Sequence, residues 1–166
     1  MTQQEYENKI KELQDELEKL KAAKIEAEQP KRWKPEYGER CWAVSNDGVV
    51  ASDTVCETND RFWYWFYLTG NCFKTRKEAE EYKMQIEYTA RYKNYIEEHS
   101  EPLDWKDEDQ RKYYPVFDYK CNKIDICCYC TFKCQGIIFA TSEQIIWDAI
   151  KEIGKDNFKK YVLGVK

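Results

Sequence analysis

Cys121, Cys127, Cys128, Cys130 and Cys134 crowd one stretch of a chain that carries eight cysteines in all. Cys127-x-x-Cys130 has the spacing of a zinc knuckle, but a structural zinc site takes four ligands converging from two turns, and no second C-x-x-C is present. If the stretch is a strand, Cys128 and Cys130 share a face with Ile124, Ile126 and Phe132, while Cys127 points the other way with Tyr129. The pair would then be split across the sheet. Free cysteine packs as a small hydrophobe, so burial in the core is the expected role of these thiols, with metal binding and redox chemistry as alternatives. The single histidine, His99, ends a helix beside Glu97 and Glu98, where a cation is favourable; it has no nucleophile to pair with. Asp104, Asp107, Glu108 and Asp109 could attract Mg²⁺ or Ca²⁺. They lack the alternating ligand spacing and central glycine of a calcium loop, and read as a solvated helix start. No glycine-rich phosphate cradle occurs. The sequence therefore names no catalytic residue, no metal ligand and no cofactor, and the expectation is a protein that is not an enzyme.

The aromatic surplus remains: 16 % of residues are Phe, Trp or Tyr, densest in Phe62-Trp63-Tyr64-Trp65-Phe66-Tyr67. As a strand, Arg61–Leu68 would place Phe62, Tyr64 and Phe66 on one face and Trp63, Trp65 and Tyr67 on the other. A face left open, with Arg61, Lys74 and Arg76 nearby, could stack single-stranded bases or anchor a protein partner. Covering by helix and N-terminal segment would instead make it core. Arg61, Trp63, Trp65 and Tyr67 are the candidate partner-binding residues, followed by the acidic Asp107, Glu108 and Asp109.

The elements that position them carry a repeated signal. Gly70-Asn71-Cys72-Phe73-Lys74-Thr75-Arg76-Lys77-Glu78 and Gly136-Ile137-Ile138-Phe139-Ala140-Thr141-Ser142-Glu143-Gln144 both read G-x-x-F-x-T-x-x-[E/Q]. Thr at an N-cap, with Glu or Gln three residues on, predicts a capped helix after each glycine-led strand ending. The first helix should run from Thr75 to about His99, with Ala79, Tyr82, Ile86 and Ile96 along one side. The second should span 142–153 and stop at Gly154. Cys41–Asn46 and Val49–Val55 flank Asp47-Gly48, which predicts a two-residue hairpin turn; Tyr113–Tyr119 and Ile124–Phe132 predict a second hairpin.

Ahead of these, residues 4–28 carry a heptad stripe, with Ile10 and Leu17 at one core position and Leu13 and Leu20 at the other. So short a helix is marginal alone, and a homo-oligomeric coiled coil through these residues is expected. The expected organisation is a heptad helix over 1–29, a proline-bearing linker over 30–40, and an α+β domain over 41–166 with two capped helices packed on a mostly antiparallel sheet.

Lysine and arginine number 27 against 31 acidic residues, and no segment is strongly basic. Non-specific DNA binding by charge is disfavoured, although a nucleic-acid partner stays open. No run approaches a membrane span and no signal-peptide core is present, so a cytoplasmic protein with reduced thiols is expected.

Gly70-Asn71-Cys72-Phe73-Lys74-Thr75 with Glu78-Ala79-Glu80, then Asp104-Trp105-x-x-Glu108-Asp109-Gln110 with Lys112-Tyr113-Tyr114, resembles short accessory proteins of phages and prophages of Gram-positive bacteria. The closing stretch, with Ile153-Gly154 and Lys159-Lys160-Tyr161, is similar to their ends, and the likeness covers roughly residues 31–166. The resemblance supplies no catalytic residue. It implies action in the bacterial host cytoplasm by binding and disabling a host protein, including a defence nuclease such as a CRISPR effector. A single-stranded nucleic-acid-binding replication or regulatory factor and a cyclic-nucleotide sponge are the alternatives.

Overall fold

The structure, a computed structural model, describes residues 9–19, 32–55, 60–129 and 133–165. The chain divides into two compact units, residues 1–34 and 35–166. In the first, residues 9–19 form a helix, α1. Ile10, Leu13 and Leu17 are exposed on it, and a Lys9–Glu12 ion pair of 3.0 Å spans one turn. Leu20 and the rest of the expected heptad stretch lie outside the described residues.

The second unit is mixed α+β. Its order is β1 (Arg40–Val44), β2 (Val50–Thr54), α2 (Asp60–Leu68), α3 (Arg76–His99), β3 (Lys112–Asp118), β4 (Lys123–Tyr129), α4 (Glu143–Ile153), α5 (Lys155–Asn157) and a π-helical turn, Phe158–Val162. The strands make two separate antiparallel hairpins, β1–β2 and β3–β4, rather than the one sheet expected. Each hairpin gains a single residue of third strand. Phe73 pairs with Trp42 on β1, and Ala140 pairs with Tyr113 on β3. Each bridging residue precedes a helix N-cap by two positions, Thr75 for α3 and Ser142 for α4. The architecture is thus hairpin, bridge and capped helix, twice over.

The first cap is a full capping box: the Thr75 hydroxyl accepts from Glu78 N at 3.2 Å, and Thr75 N donates to the Glu78 carboxylate at 2.9 Å. In the second copy the cap is Ser142, accepting from Ile145 N at 3.3 Å, and not Thr141 as the aligned template predicts. The backbone bridge, not the glycine, sets the register: Phe73 occupies the fourth template position and Ala140 the fifth, so the cap moves with it.

Both hairpin loops are longer than minimal. Ser45 N donates to Val49 O and Gly48 N to Ser45 O, each at 2.9 Å, with Gly48 at φ 78°. That is a three-residue loop with a left-handed glycine, where the sequence predicts two. In the second, Asp118 Oδ1 accepts from Lys120 N and Cys121 N at 2.8 and 3.1 Å. Tyr113 exchanges both backbone bonds with Ala140, so the alternating Pro115 aims its missing N–H away from β4 and costs the hairpin no bond.

The main core gathers Tyr92 and Ile96 of α3, Ile124 of β4, Ala140, Ile146, Ala149, Ile150 and Ile153 of α4, and Phe158 of the terminal turn. Tyr92 meets Phe158 edge to face at 5.0 Å. The stripe on α3 runs through Ala79, Tyr92 and Ile96; Ile86, expected on it, is exposed. His99 closes α3 with Nδ1 2.8 Å from the Tyr95 carbonyl and its ring stacked on Tyr95.

Candidate functional interface

The aromatic run forms a helix and not a strand. An apolar residue at every position has no period of its own, so local pattern does not choose between the two. The choice is made at the C-terminal end. Asn71 N donates to Phe66 O at 2.8 Å and Gly70 N to Tyr67 O at 3.2 Å, with Gly70 at φ 86°. This is the Schellman arrangement, which needs a left-handed residue just past the helix. Gly70 is therefore a helix stop for α2, and a glycine at that position was the signal in the sequence that pointed to one.

Asn71 then ties the end of α2 to the first hairpin. Its Oδ1 accepts from Val44 N at 2.8 Å and its Nδ2 donates to Val44 O at 2.6 Å. The side-chain amide stands in for one residue of a paired strand. Two residues on, Phe73 and Trp42 exchange both backbone bonds at 2.9 Å. Cys72 between them is buried, as is Cys41 on β1. Burial and a hydrogen bond with Cys72 push the Cys41 thiol well above its ordinary range. By contrast Cys121, Cys128 and Cys134, expected in the core, are exposed, and Cys127 is half-buried; Cys130 lies outside the described residues. Among the described residues no group of three or more histidine, cysteine or acidic side chains gathers as for a metal.

Held in this way, α2 sorts the candidate residues by helical rather than strand period. Trp63 (3 % exposed) and Phe66 (5 %) face inward and anchor the helix. Phe62 (57 %), Tyr64 (51 %), Trp65 (53 %) and Leu68 (61 %) face solvent, with Arg61 also exposed and Tyr67 half-buried. Trp63 is thus a core residue and not a surface anchor. Phe62, Tyr64 and Leu68, absent from the sequence-based set, complete the outward face. Phe62 and Trp65 both pack edge-on against Phe66, at 4.6 and 5.2 Å, which limits their freedom. With the turn residues Ser45, Asn46 and Asp47 they line a shallow hollow of about 380 Å³.

The acidic loop is a different structure from the solvated helix start expected. Residues 101–111 wind around the fully buried Lys112, whose Nζ donates to Asp107 O at 2.9 Å and Gln110 O at 2.7 Å. The Trp105 ring centroid lies 5.6 Å from the same ammonium. Gln110 Oε1 accepts from Asp104 N at 2.7 Å, and Asp107 Oδ1 accepts from Asp109 N and Gln110 N at 2.9 and 3.2 Å. Asp107, Glu108 and Asp109 are exposed, but the Asp107 carboxylate is engaged in shaping the loop.

No protein-family model, curated protein or solved structure matches this chain. The motifs quoted from the sequence have architectural roles. Gly70, Asn71, Phe73, Thr75 and Glu78 make the helix stop, the strand mimic, the bridge and the capping box, while Trp105, Gln110 and Lys112 make the caged lysine.

Proposed function

We propose that the protein is a non-enzymatic binding protein of the bacterial host cytoplasm that seats a host protein on the outer face of α2 and so inhibits it. A defence protein such as a CRISPR effector nuclease is the target class. The observation that carries the reading is the exposed set Phe62, Tyr64, Trp65 and Leu68 on a helix pinned from beneath by Trp63 and Phe66. Rigid aromatic side chains concentrate binding energy because they bury much area for little lost freedom. The phage likeness supports the target class, and the heptad residues Ile10, Leu13, Leu17 and Leu20 support a homodimer. With the aromatic run coiled as a helix, the extended base-stacking platform of the alternative reading loses its geometry.

The test is inhibition of target cleavage by purified CRISPR effector nucleases, paired with capture from nuclease-treated Gram-positive lysate. Wild-type protein should inhibit and retain one defined protein, and F62A/W65A should lose at least tenfold in both while keeping its fold. Recovery that disappears on nuclease treatment would transfer the function to nucleic acid. Equal binding by wild type and F62A/W65A would remove the α2 face from the mechanism.

A further inference from the structure

A cleft of about 810 Å³ opens between the first half of α3 and the C-terminal turn. Its volume falls in the range of sites that enclose small ligands, roughly 300–1,000 Å³. Phe73 and Tyr82 line it as an aromatic pair with ring centroids 5.0 Å apart, and Tyr161, stacked on Tyr88, lines it from the opposite side. Three carboxylates border it: Glu78, Glu81 and Asp156.

The two lysines of the lining do not balance those carboxylates. Lys159 sends its ammonium out of the cleft, 3.1 Å from Asn122 Oδ1 and 4.5 Å from the Phe117 ring centroid, so its stem alone faces inward. Among the described residues Lys160 is the ammonium held at the cleft, 3.5 Å from Glu81 and 4.7 Å from the Tyr161 centroid. It shows what these walls accept: an organic cation between a ring face and a carboxylate. Among the described residues Asp156 makes no hydrogen bond or ion pair, and no cation lies over the Phe73 or Tyr82 ring.

We infer that this cleft binds a guanidinium group, as an arginine side chain of a partner or as a free alkylguanidine. A guanidinium is planar and weakly hydrated, so it stacks on Tyr82 while bonding Asp156 edge-on; a compact ammonium keeps its water more tightly. Lys160, held on Glu81 and Tyr161, places a like charge in the same cleft and so opposes the guanidinium.

The experiment is a two-dimensional NMR titration of the full chain with N-acetylarginine methylamide and, separately, agmatine, against sodium chloride at matched ionic strength. Saturable shifts confined to the backbone around Phe73, Tyr82, Gln85 and Tyr161 are expected. Asp156→Asn should weaken binding about threefold and Lys160→Ala should tighten it about threefold, since exposed charge pairs and cation–π contacts are worth a fraction of a factor of ten each. Tighter binding of the capped arginine assigns the site to a protein side chain; tighter binding of agmatine assigns it to a free metabolite. Tyr82→Ala serves as a second variant, with thermal melts checking that the folds are kept. Shifts reproduced by sodium chloride, an unsaturable response to both probes, or weaker binding in Lys160→Ala would overturn the assignment.

Discussion

The side-chain amide of Asn71 bonds both the N–H and the C=O of Val44, at 2.8 and 2.6 Å, and so joins the end of α2 to the edge of the first hairpin. Asn71→Ala leaves two backbone groups of a buried residue unsatisfied. It should destabilise the domain by about 2–3 kcal/mol, measured as a lower denaturant midpoint at unchanged slope. Hydrogen exchange at the Val44 amide should accelerate most.

The displaced second cap can be tested by a comparison of two hydroxyls. Thr75→Ala and Ser142→Ala should each cost about 1 kcal/mol. Thr141→Ala, one residue from the cap, should be close to neutral. A larger cost at Thr141 than at Ser142 would show that the aligned template, and not the Tyr113–Ala140 bridge, sets the start of α4.

Lys112→Met preserves most of the buried stem but removes the donor that satisfies Asp107 O and Gln110 O. Two stranded carbonyls predict a loss of about 2–4 kcal/mol. The loop should loosen with it, read as a red shift and quenching of Trp105 fluorescence in a variant whose other tryptophans are replaced.

On α2 the two faces should behave oppositely. Trp63→Ala opens a cavity in the interior and should cost about 3–5 kcal/mol. Trp65→Ala and Phe62→Ala, both more than half exposed, should stay within about 1 kcal/mol of wild type. Chemical unfolding of the three variants decides this, and a stability-neutral Trp65→Ala is what makes it a usable probe of partner binding.

The buried thiol and phenol predict an alkaline weakness. Burial raises Cys41, aided by Cys72, and raises Tyr92, so both stay protonated in the fold after the unfolded chain has begun to ionise. Their contribution is complete below about pH 9 and declines as pH climbs toward the folded values. Tyr92→Phe should remove part of this slope and, because its hydroxyl finds no partner among the described residues, should raise stability by about 1 kcal/mol at neutral pH. Alkylation of the native protein mapped by mass spectrometry should modify Cys121, Cys128 and Cys134 quickly and leave Cys41 and Cys72 protected until unfolding.

Local signals in the sequence were enough for α3, with Thr75 and Glu78 three residues apart, and for both hairpins, whose turns hold Gly48 and Asn122 in left-handed conformations. They were also enough for the mixed α+β class, because capping and turn chemistry act between residues a few positions apart and are written directly in residue type and spacing. Four features depended on contacts between segments distant in sequence. The all-aromatic run could satisfy either period; the local stop at Gly70 ends it as a helix, but which of its faces is buried was decided by the packing of Trp63 and Phe66 and the Asn71–Val44 clamp. The cap of α4 moved to Ser142 because Ala140 pairs with Tyr113. Among the described residues the buried thiols proved to be Cys41 and Cys72, brought together by the Trp42–Phe73 bridge, and not the clustered Cys121, Cys127, Cys128 and Cys134. Lys112, an ordinary surface residue by type, is buried because carbonyls from its own preceding loop and the Trp105 ring replace its water. Burial is a property of what the rest of the chain places alongside a residue, and so only the tertiary structure decides which faces remain for a partner.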